Sequence, residues 1–390
     1  MVSQSVEVRQ RSSVPSSLPM HVEGLDTVLS DEGWTYASAP PVEPGDPGRF
    51  HALFGRDSLI TALQVLPARP EVARATLRAL AARQGTRVDE LTMEAPGKIG
   101  HEFRDAPPES FVEAGWPDAG RFAYYGTADA TSWFLVVAGA LGEPVSGWEA
   151  AAGWLVGELE AGGGLLRHSP GRFALTQQGW RDTISGDHGG GIVRPDGTLA
   201  SPPLADADTQ AVTVAALRAA AKLSGDDAWL RRAEELRAAI SDVFGPDVMA
   251  IDGDGAVPGA GSQLGWLLWA DAIEDVDAVA DRLSAPDVLT EFGLRTLSAD
   301  APAFAPDAYH RGSVWPFDSW LGWGGLRAAG RHEAAERVRT GVLEALDRLG
   351  RFPELYAVSR EPEPIPIANR VQAWTVGARW ALEHEWDGRA

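Results

Sequence analysis

The chain has 390 residues and a formal charge of −21 at pH 7, from 34 Lys and Arg against 55 Asp and Glu. No long run concentrates this charge, so the surface should repel phosphate backbones and anionic lipid, which sets nucleic acid and membranes aside as partners. The absence of cysteine removes disulfides, thiolate nucleophiles and cysteine-ligated metal sites together, leaving carboxylates, histidines, hydroxyls or a cofactor to supply any chemistry.

Residues 1–50 are rich in Ser and Pro and read as an irregular leader packed on a single domain that spans 51–390. No stretch is apolar enough for a signal peptide or a membrane span, so a cytoplasmic location is expected. Beyond the leader, helical periodicity dominates. In PEVARATLRALAARQ (70–84), Val72, Ala75, Leu77, Leu80 and Ala81 form one stripe that stops at Gly85. Similar stretches recur at 58–66, 129–141, 147–160, 207–223, 227–244, 262–283, 315–329, 332–349 and 372–385, and Asp226 or Asp227 with Gly245 caps the fifth of these. Strand candidates are few and short, at 164–169 and 255–259.

The pattern predicts an all-α protein of about ten to twelve modest helices joined by long loops. Loops at 86–127, 179–206 and 285–314 exceed the length of about 15 residues beyond which an irregular connection usually carries function. Many short helices fit either a stacked superhelix or a closed ring of inner and outer helices. No fixed repeat is visible, which argues against the open superhelix.

Five clusters place aromatic and charged residues at the mouths of these helices: FGRDSLI (54–60), YYGTADATSWF (124–134), QQGWRDTISGD (177–187), YHRGSVWPFDSW (309–320) and GRFPELYAV (350–358). Each has a plainer reading. Asp57 or Ser58 would make an ordinary N-cap, Pro316 a first helical residue, and Asp182 and Glu354 solvated loop carboxylates. Their recurrence at helix mouths exceeds what capping requires and suggests one polar pocket lined by rings. The 15 tryptophans supply flat apolar faces that suit sugar rings as well as cores. DGDG (252–255) lacks the acidic residue that would complete a calcium loop, and GDHGGG (186–191) lacks the lysine of a phosphate loop. With 8 histidines and no HExxH, no catalytic metal is expected, nor any cofactor.

GRDSLI (55–60), GKIGHEFR (97–104), YYGTADAT (124–131), QGWRDT (178–183), DTQ (208–210), LGWLLW (264–269), GLRTLS (293–298), YHRGSVWPFD (309–318), PELY (353–356) and QAW (372–374) run in an order that resembles the catalytic domain of bacterial glycogen-debranching amylo-α-1,6-glucosidases. These resemble a branch of the glucoamylase-like six-hairpin glycosidases. The resemblance covers about residues 50–386. It implies an (α/α)6 toroid with few short strands, a carbohydrate substrate, and inverting hydrolysis of α-glucosidic bonds. By the same resemblance, Asp182 is the general acid and Glu354 the general base, while Arg56 and Asp57 hold hydroxyls of the terminal glucose. Glu102, Tyr125, Asp129, Trp180, Arg181, Gln210, His310, Trp315, Asp318, Gln372 and Trp374 are further candidates to line the pocket. The chain departs from the family pattern at Arg311, Phe317, Ser319 and Val371, where Asn, His, Asn and Pro are usual, so a small glucoside is an expected alternative to a branched polymer.

An inverting pair needs a protonated carboxyl and an ionised one about 6.5–9.5 Å apart. Asp182 should be raised by burial against Trp180, Arg181 should turn toward the sugar, and Glu354 should stay ionised through hydrogen bonds and solvent. Two rivals remain: a sugar epimerase or isomerase on the same toroid, disfavoured by the scarcity of histidine, and a sugar-binding protein without activity.

Overall fold

The computed structural model describes residues 20–41, 49–113, 115–117, 120–143, 145–172 and 175–389. The sequence expectations for 1–19 and 42–48 lie outside them. In chain order, β1 (Leu53–Phe54) leads into α1 (Gly55–Gln64) and α2 (Pro70–Ala81). Then come β2 (Glu102–Arg104), α3 (Glu109–Glu113), β3 (Phe122–Tyr124), α4 (Ala130–Leu141) and α5 (Trp148–Ala161). β4 (Ala205–Asp206), α6 (Ala207–Ser224), α7 (Ala228–Val243), β5 (Val248–Asp252), β6 (Gly255–Pro258), α8 (Gln263–Trp269) and α9 (Val276–Leu283) are next. The chain closes with β7 (Leu289–Thr290), β8 (Gly293–Leu294), α10 (Pro316–Ala328), α11 (His332–Leu349), β9 (Tyr356–Val358), β10 (Pro362–Pro364) and α12 (Ala373–Glu383).

Among the described residues the twelve helices sort by how their apolar residues are spaced. All ten residues of α1 and all seven of α8 are buried, as is nearly all of α4, α10 and α12. Helices buried on every side have no face for water and sit inside; in α1 the polar Arg56, Asp57, Ser58, Thr61 and Gln64 are buried with the rest. α7, by contrast, buries only Ala233, Leu236 and Ile240, one stripe of an amphipathic helix, and α2, α9 and α11 are also one-sided. Packing follows this division. α1 lies against α4, α4 against α6, α6 against α8, α8 against α10, α10 against α12, and α12 returns to α1. α2, α5, α7, α9 and α11 pack outside that circuit. α8 and α10 approach closely: a Cβ on Gly265 would stand 2.5 Å from the Gly322 Cα. Only glycine permits that backbone contact.

The strands are short and antiparallel. β1–β2–β3 registers Phe54 with Glu102 and Glu102 with Tyr124, fastening the long loop before α4 to the start of α1. β4–β5–β6 ties the entry of α6 to the chain after α7. In the described part of the leader, a 3₁₀ turn at Leu25–Thr27 packs on α12, and Ser38 bridges Gln372.

Several boundaries differ from the sequence expectation. The stretch 262–283 is two helices, because Asp271 takes φ 49° after α8 and Asp275 caps α9 by accepting from the Ala278 N–H. Residues 164–169 form no strand and make one isolated bridge, His168 to Leu204. α1 begins at Gly55, so Asp57 lies inside its first turn and Ser58 donates to the Thr35 carbonyl; neither caps it.

Candidate active site

The first turns of the inner helices converge at one end of the circuit. Arg56 and Asp57 lie in the first turn of α1, Asp129 is the N-cap of α4, Trp315 that of α10 and Gln372 that of α12. There a recess of about 50 Å³ is lined by Arg56, Asp57, Trp180, Asp182, His310, Trp315, Glu354 and Trp374, all anticipated from sequence, and by Phe50, Phe54, His101 and Tyr309. One water needs about 10–15 Å³ by this measure, so the recess is tight.

Rings build its wall. Trp180 meets His310, Trp315 and Phe317 edge-on at 5.3, 5.4 and 5.2 Å between centroids. Phe317, one of the departures from the family pattern, stacks on Trp374 at 4.0 Å. The Gly191 N–H donates to His310 Nδ1 at 2.9 Å, which fixes the ring proton on Nε2, an atom with no partner among the described residues. Burial and the charges of Arg181 and Arg56 hold His310 well below its ordinary range. Burial, then Arg56, Arg104 and Lys98, do the same to His101. Both rings are therefore neutral hydrogen-bonding groups for a polar ligand.

The two candidate catalytic carboxyls have different surroundings. Asp182 Oδ2 accepts from Arg56 Nη1 at 3.0 Å, and about a quarter of its side chain (26 %) is exposed. Burial pushes its pKa up to about 6, against the opposing charge and hydrogen bond of Arg56. Glu354 is 1 % exposed. Its Oε1 accepts a short hydrogen bond from the Tyr309 hydroxyl, and its Oε2 accepts from the Asn369 backbone N–H (3.0 Å) and Nδ2 (3.2 Å). Burial pushes Glu354 up to about 7 although these donors favour the ionised form. Of the hydrogen bonds and solvent expected to keep Glu354 ionised, the hydrogen bonds are present and the solvent is nearly absent. Asp57 is also pushed up to about 7 by burial, against the pull of Arg56, and accepts from Gln372 Nε2 at 3.3 Å.

The remaining candidates stand elsewhere. Asp129 and Gln372 lie behind the lining, the first holding Arg56 and the second bridging Asp57 to Asn369. Arg181, expected to turn toward the sugar, does not line the recess. Its guanidinium lies 4.5 Å from the Trp180 ring centroid and donates to the Thr296 carbonyl and Ser262 Oγ, with Asp208 at 3.4 Å. Asp318 accepts from Trp266 Nε1 at 2.6 Å in the interior. Gln210 bonds both the N–H and the carbonyl of Leu166, so it is a core tether. Glu102 pairs with Arg104. Tyr125 lines a separate cavity of about 720 Å³ with Trp34, Tyr36 and Phe103, and donates to the Arg83 carbonyl.

Sequence reasoning missed Tyr309, Phe54 and His101, although each sits inside one of the motifs, within two residues of a chosen position. Asn369 stands in IPIANRVQAW with no motif signal of its own.

Residues 173–357 match the model of the mannosylglycerate hydrolase MGH1-like glycoside hydrolase domain, and on that match the chain is a glycoside hydrolase. No curated protein sequence matches it. Among solved structures, it resembles the mannosylglycerate hydrolase of Thermus thermophilus in complex with Tris, at 16 % identity and a TM-score of 0.66 over 93 % of this chain and 99 % of that one. The same hydrolase in complex with glucose gives 16 % and 0.62 over 94 % and 99 %. A structure described as a wild-type glycosidase gives 16 % and 0.55 over 94 % and 95 %. At such identities these likenesses establish a shared fold. The descriptions of the matched domain and of these three structures do not refer to glycogen debranching, the activity that the resemblance of the sequence motifs implied.

Proposed function

We propose that the protein is an (α/α)6-toroid glycoside hydrolase of the inverting type, with Asp182 as general acid and Glu354 as general base. The observation that carries this reading is the pair itself: of the three carboxyls that line one tight aromatic recess, Asp182 and Glu354 are held by separate sets of donors, Arg56 for one and Tyr309 with Asn369 for the other. Such a pair can protonate a leaving oxygen from one side of a sugar ring and deprotonate water on the other. Asp182, the more exposed, faces the leaving group. Covering it with substrate removes its remaining water and raises its proton affinity further. Tyr309 and Asn369 occupy both oxygens of Glu354 with donors, which suits a carboxylate that must be ionised to act. Asp57 and His310 Nε2 offer hydrogen bonds to ring hydroxyls, and Trp180 and Trp315 exclude water around them.

The substrate we favour is a small α-glycoside, one hexosyl unit on a short polar aglycone, in place of a glycogen branch. The tightness of the recess and the MGH1-like domain match support this. Arg49, whose charge lowers the Glu354 pKa, adds a cation near the site that suits an anionic aglycone such as glycerate. The test is release of free hexose from a panel of α-mannosyl and α-glucosyl glycerates, trehalose, maltose and isomaltose. Turnover of a glycerate glycoside or disaccharide with none of branched glucan supports the reading. Efficient removal of single glucose branches from limit dextrin overturns the substrate assignment, and no hydrolysis of any member overturns the reaction.

A further inference from the structure

Arg56 spends its guanidinium on two carboxylates. Nε donates to both oxygens of Asp129, at 2.9 and 2.7 Å, Nη1 donates to Asp182 at 3.0 Å, and Nη2 reaches the Gly179 carbonyl at 2.9 Å. Thr127 Oγ1 completes the far end by donating to Asp129 Oδ1 at 2.9 Å. Arg56 and Asp129 are 2 % and 1 % exposed, so water does little to screen them. Asp129 does not line the recess.

We propose that Asp129 is a positioning residue for the general acid: by engaging Arg56 it leaves one cation to serve two carboxylates, and the proton on Asp182 supplies the missing positive charge. This rests on the reading of Asp182 as the acid, and it explains how that carboxyl can hold a proton while touching an arginine. With Asp129 neutral, Arg56 would belong to Asp182 alone and hold it ionised. Among the described residues, no carboxylate other than Asp129 and Asp182 hydrogen-bonds Arg56. Asp57 from α1 and Glu354 add negative potential, Tyr124 from β3 and Tyr309 are neutral and raised by burial, and His101 and His310 are neutral.

The test uses two substitutions with opposite expected signs. Because the acid titrates below the base, the low-pH limb of kcat/KM follows Asp182, and Asp129→Asn should move that limb downward by about one unit or more, since a lone opposite charge typically lowers a carboxyl by about 1–3 units. Activity should return as the pH is lowered. Arg56→Lys keeps the charge but not the fork that spans both carboxylates, so Asp182 loses its donor and the same limb should move upward. A merely structural role lowers rates at every pH and moves neither limb. That result, or shifts of the same sign, would overturn the proposal. If Asp129→Asn does not fold, the sign for Arg56→Lys decides alone.

A carboxyl ¹³C NMR titration of Asp-labelled protein, with Asp182→Asn identifying the resonance, reads the same shifts without substrate. Shifts as stated in a protein that hydrolyses no glycoside support this inference and overturn the proposed reaction. Hydrolysis with an unmoved Asp182 resonance does the reverse.

Discussion

Asp182 and Glu354 open onto the same recess, but one is tied to a charge and the other to dipoles. Asp182 takes a single hydrogen bond, from a guanidinium shared with Asp129, and keeps a quarter of its surface in water. Glu354 takes three from neutral donors on two loops and has almost no surface left. A charged partner tunes proton affinity and can be offset by another charge behind it. Neutral donors fix direction and favour the ionised form without adding net charge. The acid is thus adjustable from a distance, and the base is clamped where it stands.

The largest effect should come from removing either carboxyl. Asp182→Asn and Glu354→Gln should each lower kcat by about 10²–10⁴, with thermal unfolding by circular dichroism showing both proteins still folded. Near-wild-type turnover in either would break the comparison at its root.

Tyr309→Phe should act on one side only. Without its hydroxyl the ionised form of Glu354 loses a donor and its pKa climbs above about 7; with the acid titrating below the base, the high-pH limb of kcat/KM moves up by about one unit and activity at pH 6 falls about tenfold. The low-pH limb should stay. Equal movement of both limbs would mean that the two carboxyls are not separately held.

The wild-type profile should itself be a narrow bell. Activity falls as pH drops because Glu354, near 7, gains a proton, and it falls as pH rises because Asp182, near 6, loses one. With the acid below the base, the productive form peaks between these values and remains a minor fraction, and the two steps belong to the pair as a whole. A plateau several units wide in the kcat/KM profile would show that the surroundings differ from those described.

Gln210→Ala should scarcely touch catalysis. It removes two 2.8 Å hydrogen bonds to Leu166 in the core and should cost about 1–3 kcal/mol in a denaturant titration with KM unchanged. A raised KM without loss of stability would return Gln210 to the pocket.

The legible part of the site is set by where the motifs stand. Arg56, Asp129, Trp315 and Gln372 mark the mouths of α1, α4, α10 and α12, so helical periodicity and motif order together pointed to one end of a helical assembly. Side-chain direction within a motif was the harder part. Gln177 and Thr183 bridge across the Trp180 loop, and Trp180 and Asp182 face the recess while Arg181 between them faces inward. Adjacent residues of this bent loop point to opposite sides of it, which a reading of neighbours in sequence overlooks. The same one-residue difference separates His101, in the recess, from Glu102, paired with Arg104. Asn369 was invisible because it reaches Glu354 only through the fold of the loop before α12. The dryness around Glu354 depends on rings brought in from α10 and α12, which no local motif records.

Whether these unlike carboxyls work as one acid and one base on opposite sides of a sugar can be read from the first product formed. Proton NMR of early turnover on an α-glycoside should show the β-anomer ahead of mutarotation. Initial release of the α-anomer would mean a covalent, retaining route and would contradict the account.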